Sequence, residues 1–238
     1  MPSLDNPIVQ WVRKCVRARG FDIVWYRPLN RLLAHHGINV VLDVGANQGQ
    51  YATELRRQDF RGRIVSFEPQ PDVFALLQQR ARGDELWQTV NIGLGDQDTE
   101  LEMNIFAVSD YGSLLPPLAG ATTPPIVAKR RVPVRRLDAS WKDYCRPGEK
   151  VFLKLDVQGY EKKVMEGAEG CFDQIVGIQM EMSISSPLYV GQPGWEEMVQ
   201  FMRSKGFVLW KIEKGTWDPQ TGRETELDGI FFRETARA

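Results

Sequence analysis

The stretch "VVLDVGANQGQY", Val40 to Tyr51, decides how this chain reads. Val40, Val41, Leu42 and Val44 make an apolar, mostly β-branched run, which suits a strand of a parallel sheet covered by helices on both faces. Asp43 interrupts the run. A carboxylate at the end of a buried strand costs free energy unless donors meet it, so either the fold or a ligand must supply them. Gly45 and Gly49 follow, a spacing that suits a tight turn. Such a turn leaves backbone N–H groups free at the start of a helix and lets a ligand approach the main chain.

Outward from this stretch, strand-like and helix-like runs alternate: "INVVLDV" and "YATELRRQ", "GRIVSFE" and "PDVFALLQQRA", "WQTVNIGL", "KVFLKLDV" and "EKKVMEGAEGCF", "QIVGIQMEM" and "WEEMVQFMRSKG". That order predicts an α/β fold with a doubly wound, mostly parallel sheet. "FVLWKIE" and "ELDGIFFR" are joined by the turn-rich "KGTWDPQTG", which predicts a closing hairpin and an antiparallel last strand. The alternation breaks at about residues 99–137, where "TELEMNIFAV" and "VAKRRVPVRRLD" read as extra strands around a Pro/Gly-rich loop, a composition suited to a lid or binding loop.

At the amino end, Ile8, Trp11, Val12, Cys15 and Val16 fall at helical spacing with Arg13, Lys14 and Arg17 between them. Two readings fit this amphipathic helix: a cover laid on the domain, or a basic helix lying on a membrane surface. A second helix is expected from Tyr26 to His35. Residues 1–37 are thus read as a helical cover and 38–238 as one domain carrying the 99–137 insertion.

With 238 residues, 42% hydrophobic and 26% charged, the chain has the composition of a globular domain. A net charge of -1 gives no global attraction to nucleic acid, so no nucleic-acid partner is expected. Cys15, Cys145 and Cys171 form no CxxC pair and suit neither a disulfide framework nor a zinc site. No run resembles a secretory leader or approaches the roughly 18 apolar residues of a membrane span. A cytoplasmic setting is the expectation.

Gly45-Ala46-Asn47-Gln48-Gly49 lacks the second close-approach glycine of GxGxxG, which weighs against a dinucleotide. Asp43 would repel a diphosphate and attract a cation. Glu68, in "SFEPQ" at the end of the next strand, is placed to accept both hydroxyls of a ribose. Adenosine with a cationic end points to S-adenosylmethionine. The competing reading makes Asp43 a helix cap and Glu68 a solvated turn residue.

"VVLDVGANQGQYATELR", "GRIVSFEPQP", "NIGLGD", "GSLL" and "KLDVQGYE" together resemble the FkbM family of S-adenosylmethionine-dependent methyltransferases, over about Ile38 to Glu181. The resemblance implies a class I methyltransferase (Rossmann-like) sheet: seven mostly parallel strands, the last antiparallel, with helices on both faces. It also implies a cofactor-binding set of Asp43, Gly45, Ala46, Asn47, Gly49, Tyr51, Glu68, Pro69, Asn91, Gly93 and Asp156. In that set Asp43 and the glycine loop face the methionine part, Glu68 the ribose, and the Asn91 region the adenine. Two positions depart from the family pattern: Gln158, where a Glu is common, and Tyr160, where an alanine-like residue is.

Asp156 and Glu181 end two successive strands and should meet in the crevice, which makes them the catalytic candidates. Either Glu181 takes the acceptor's proton, or the pair holds Mg²⁺ through hard oxygen ligands. Two carboxylates without a third ligand do not make a metal site, and none is assigned. His35 and His36 precede the first strand and sit at the wrong end for catalysis. Asp138 is read as an ion-pair partner of its neighbouring arginines. Tyr189 and Trp195 in "SISSPLYVGQPGWEEM" suit the rim of a sugar site, or else Trp195 packs on the following helix. Trp210 and Trp217 are expected in packing. "KRRVPVRR" reads as a charged edge strand, or as a site for an anionic acceptor.

The expected activity is O-methylation of a saccharide or natural-product hydroxyl, with a small-molecule or glycan acceptor. A nicotinamide-dependent oxidoreductase and a binding module that has lost turnover are the alternatives. The oligomeric state is left open.

Overall fold

The computed structural model describes residues 6–19, 29–185 and 187–234. The chain runs through α1 (Pro7–Arg17), α2 (Leu29–His35), β1 (Val40–Val44), α3 (Gln50–Arg57), β2 (Arg63–Phe67), α4 (Pro71–Ala81), β3 (Trp87–Val90) and β4 (Gly93–Leu94). It continues through β5 (Thr99–Phe106), β6 (Ile126–Arg135), α5 (Leu137–Tyr144), β7 (Val151–Leu155), α6 (Glu161–Glu166), β8 (Ile175–Ser183), α7 (Trp195–Ser204), β9 (Phe207–Lys214) and β10 (Glu226–Arg233).

Seven strands form the main sheet in the order β3-β2-β1-β7-β8-β10-β9. The neighbours from β3 through β8 pair in parallel, and β10 lies antiparallel to both β8 and β9. The last strand in sequence is therefore the reversed one, as the hairpin predicts.

Each face of this sheet has its own core, which is why β1 is apolar at every position but Asp43. Val40, Leu42 and Val44 pack with Leu137, Val164, Met165 and Met198 from α5, α6 and α7. Val41 points the other way, with Leu33, Ala52, Leu55 and Leu77 from α2, α3 and α4. Side chains alternate between the faces, so both sets must be apolar. Helix-covered faces also expose the carboxyl ends of the strands as a crevice at the point where the order reverses between β1 and β7.

The insertion folds as a second sheet in the order β4-β6-β5. "WQTVNIGL", expected as one strand, is split: β3 joins the main sheet, and after Asn91 and Ile92 the short β4 pairs with β6 instead. The "KRRVPVRR" segment is also less of an edge than expected. β6 pairs with β5 along its length, and Val134 and Arg135 pair with β4 as well. Three of the segment's cations have carboxylate partners, Lys129 with Glu102 at 2.7 Å, Arg130 with Asp72 at 2.9 Å and Arg136 with Asp138 at 2.6 Å.

At the amino end, the Asn6 side chain accepts the Ile8 N–H at 2.9 Å and caps α1. None of the α1 side chains is buried. The expected second helix begins at Leu29, and Tyr26 to Pro28 lie outside the described residues. Among the described residues, no helix is long and apolar enough to cross a membrane.

Candidate active site

Sheet register places four polar side chains in one row near the carboxyl ends of four adjacent strands. Ser66, Asp43, Lys154 and Gln179 are successive cross-strand neighbours on β2, β1, β7 and β8. The Trp87 indole donates to Ser66 Oγ at 3.0 Å, and Ser66 donates to Asp43 Oδ2 at 3.0 Å. Lys154 Nζ lies 3.9 Å from Asp43 Oδ1 and 2.9 Å from Asp156 Oδ2. Gln179 Oε1 accepts from the Tyr51 hydroxyl at 2.9 Å, and Gln179 Nε2 donates to Asp228 at 3.3 Å.

Burial pushes the Asp43 carboxyl up, against the pull of Lys154 and Ser66. For Lys154, burial opposes the charge, but Asp156 and Asp43 outweigh it and raise its pKa. Asp156 is likewise penalised by burial, yet Lys154 holds it below the ordinary carboxylate value. The ammonium is thus shared by two carboxylates. The fold gives Asp43 Oδ2 the Ser66 hydroxyl and leaves Oδ1 with only the ammonium charge at 3.9 Å, and the helix-capping alternative fails, because Gly49 caps α3.

Above this row opens a cavity of about 630 Å³. Gly45, Ala46 and Asn47 line it from the glycine loop, Tyr51 from the first turn of α3, Glu68 and Pro69 from the end of β2, and Gly93 from β4. Ser109 and Asp110, in the short helical turn Ser109–Tyr111 of the insertion, also line it, and the Asn47 side-chain amide donates to both, tying the insertion to the glycine loop. Glu68 is 6% exposed, so it is not a solvated turn residue. Its carboxylate accepts the Asn47 N–H at 2.9 Å and the Gln70 N–H at 2.8 Å, and burial still pushes it up to about 7.

On the other side of the cavity, Gln158 joins the two catalytic candidates. Its Nε2 donates to Asp156 Oδ1 at 3.0 Å and to Glu181 Oε2 at 3.1 Å. The bridging amide is itself held: Tyr189 donates to Gln158 Oε1 at 3.2 Å, and Ser113 donates to the Gln158 backbone carbonyl at 2.7 Å. Burial, with Asp156, Glu226, Glu161 and Asp228 nearby, pushes Glu181 up to about 9. Gln158, one of the two positions that depart from the family pattern, is therefore the residue that keeps two acids together.

Gln158→Glu should remove the amide that donates to both acids and put a third carboxyl group between them. We expect a loss of about 2–4 kcal/mol at neutral pH, read as a lower melting temperature that recovers on acidification. An unchanged melting temperature at neutral pH would count against the bridge.

Not every expected residue reaches the cavity. Asp43, fully buried, lies beneath it, and Gly49 packs against Trp87 and Leu77. Asn91 is absent from the lining and instead donates to the Glu68 and Pro69 carbonyls at 2.7 and 3.2 Å, fixing the end of β2. Tyr189 is no open sugar rim: it is 1% exposed, and its hydroxyl also donates to the Tyr111 carbonyl at 2.9 Å. Trp195 is partly buried against the core beneath α7. Trp217 is 59% exposed, contrary to the expected packing, while Trp210, also exposed, stays against His36 and Phe232. Asp138 pairs with Arg136 at 2.6 Å as expected.

Lys154, Gln179, Glu226 and Asp228 line the cavity without having been singled out from the sequence. Lys154 had one legible signal, a cation in a strand otherwise apolar. The two acids of β10 had none, because only the antiparallel pairing of Asp228 with Glu181 brings them there. No group of three or more metal-binding side chains occurs among the described residues.

A seven-stranded sheet of this order, with the acid-and-glycine loop at its switch point, defines a class I methyltransferase. The chain belongs to the methyltransferase FkbM domain family, whose model matches residues 43–209, and it is an S-adenosylmethionine-dependent methyltransferase. Among solved structures it is similar to an rRNA methylase from Streptococcus thermophilus at 9% identity and a TM-score of 0.48, with 90% of this chain and 100% of that one covered. It is also similar to the 1,6-didemethyltoxoflavin-N1-methyltransferase of Burkholderia thailandensis at 13% identity and a TM-score of 0.47, with 95% and 85% covered. No curated protein matches the sequence.

Proposed function

We propose that this methyltransferase acts on a hydroxyl of a saccharide or natural-product acceptor, with Glu181 as the base. The observation that carries the reading is the Asp156, Gln158 and Glu181 chain on the cavity wall, with Glu68 on the wall formed by the end of β2. Burial holds the Glu181 carboxyl up to about 9, so it keeps its proton at neutral pH until a positive charge beside it favours the ionised, basic form.

The cavity suits S-adenosylmethionine chemically. Carboxylates of Glu68, Asp156 and Glu181 line it, and beneath it the Asp43 Oδ1 atom is buried without a hydrogen-bond donor. When bound, the cofactor supplies an electrophilic methyl group. Glu68, braced by two backbone N–H groups, would accept the ribose hydroxyls. Asp156, with Asp43 and Lys154 behind it, would face the cationic end. Gln158 keeps Glu181 beside Asp156, where a bound positive charge lowers its pKa and readies it to receive the acceptor's proton. Residues 38–238 would make up this catalytic domain.

Calorimetric titration with S-adenosylhomocysteine, run beside NAD, tests the cofactor part. Glu68→Ala should weaken S-adenosylhomocysteine binding about a hundredfold, since it removes charge-assisted bonds and strands two backbone donors. Glu181→Gln should keep that affinity and lower turnover about a hundredfold or more on a panel of hydroxylated acceptors. Binding of NAD alone would sink the methyl-transfer reading, and full turnover by Glu181→Gln would remove its base.

A further inference from the structure

We propose that the β10 side of the cavity is the acceptor subsite, and that it selects an acceptor carrying a protonated amine beside its hydroxyls, such as an amino sugar or a basic natural product. The inference rests on the hydroxyl-methylation reading above and adds to it the charge of the acceptor. Glu226 and Asp228 stand two residues apart on β10, so their side chains leave the same face of the sheet, and both line the cavity. Asp228 pairs in register with Glu181 of β8, which sets two acids directly opposite each other on adjacent strands. Like charges so placed are destabilising, and such a conflict kept in a cavity wall marks a functional site rather than a packing solution.

The cofactor does not account for these acids. Its ribose would lie at the end of β2 and its cationic end at β1 and β7. In the sheet order, with adjacent strands about 4.8 Å apart, β10 stands about 10 Å beyond β7 and about 19 Å from β2. Nor does the protein neutralise them. Lys154 is the one cation among the described residues that line the cavity, and it is engaged by Asp156 at 2.9 Å and Asp43 at 3.9 Å. Glu226 accepts from the Thr216 hydroxyl at 2.8 Å and Asp228 from the Gln179 amide at 3.3 Å, neutral donors that leave further acceptor capacity on each carboxylate. Glu226 is 9% exposed, so its charge is largely withdrawn from water, and beneath the same cavity Asp43 Oδ1 is buried without a donor. Burial raises Glu226, and it pushes Asp228 up to about 6 against the pull of Lys154. A cation beside them would favour the carboxylates. Among the described residues no three such side chains are gathered to hold a metal ion, so the charge that fits is an organic one. An ammonium brings three donors, and beside Glu181 it would also favour the ionised form of the base.

The test is calorimetric titration of the full chain, saturated with S-adenosylhomocysteine, with a glucosamine trisaccharide and with kanamycin, each beside its N-acetylated form, which keeps the hydroxyls and removes the charge. The free amines should bind about a hundredfold more tightly than the acetylated forms. The double variant Glu226→Gln, Asp228→Asn should erase that difference while keeping wild-type affinity for S-adenosylhomocysteine, which shows that the domain is folded. The proposal is overturned if the acetylated forms bind as tightly as the free amines, if neither amine binds, or if the double variant keeps the preference. Turnover separates this inference from the reading beneath it. Methyl transfer to neutral hydroxylated acceptors with no gain from an amine would sink the inference and leave the proposed activity standing, whereas selective amine binding without any O-methylated product would do the reverse.

Discussion

Gly45→Ala should lose S-adenosylhomocysteine binding by about a thousandfold or more. Gly45 sits at φ +76, a region that costs an L-residue about 1–2 kcal/mol, and that strain alone would be tolerable. Space is the greater difficulty. A Cβ there would lie 1.8 Å from the Asp156 carbonyl oxygen and 2.8 Å from its carbon, both backbone atoms that cannot swing aside. The loop cannot retreat the other way, because the Gly45 and Ala46 N–H groups donate to the Phe67 carbonyl at 3.1 and 3.0 Å. The turn after β1 must then separate from the turn after β7, breaking the bond from the Asp156 N–H to the Val44 carbonyl and spoiling both walls of the cavity.

Gly120→Ala is the matched control, since Gly120 has φ +84 with no atom within 4 Å of an added Cβ. It carries the strain without the collision and should bind normally. Binding by Gly45→Ala within about tenfold of wild type would mean that the two turns are not locked together.

Lys154→Met should cost about 2–4 kcal/mol at neutral pH, because it leaves the fully buried Asp43 and the partly exposed Asp156 without their shared cation. In a chain of this size that corresponds to a melting temperature lower by about 10 °C. The pH dependence identifies the cause. In the wild type, the depressed pKa of Asp156 contributes stability above its unfolded pKa, which is lost as pH falls through the folded value. Asp43 works in the opposite sense: its raised pKa contributes stability below the unfolded pKa, which is lost as pH rises through the folded value. Without Lys154, both carboxyl pKa values move up. The variant should therefore approach wild-type stability in mild acid and fall away from it as pH rises to neutrality. A deficit that stays constant with pH would assign the loss to packing of the lysine stem instead.

Both variants probe features that were unequally visible beforehand. The glycine loop was legible because its function is a backbone one: only glycine adopts positive φ freely, so composition and spacing announce it. The polar row of Ser66, Asp43, Lys154 and Gln179 was legible only as separate oddities in apolar strands. Register turns them into one network, and register is a property of strand pairing that no strand carries alone. Gln158 shows the same limit. The sequence marks it as a departure from the family pattern, while its φ of +53 and its two donated hydrogen bonds explain what the departure does.

By itself the sequence determined the layered α/β fold, the reversed last strand, the acid-and-glycine loop and the meeting of Asp156 with Glu181. Each follows from local periodicity, turn chemistry or position at a strand end. Tertiary structure alone decided that Asp43 lies beneath the cavity, that Asn91 serves the backbone, that Tyr189 is a buried brace and that β10 adds Glu226 and Asp228 to the wall. The physical reason is the range of the interactions. Hydrogen bonding within a turn and burial of an apolar face are written in neighbouring residues, whereas the charge environment of a cavity is summed over strands far apart in the chain.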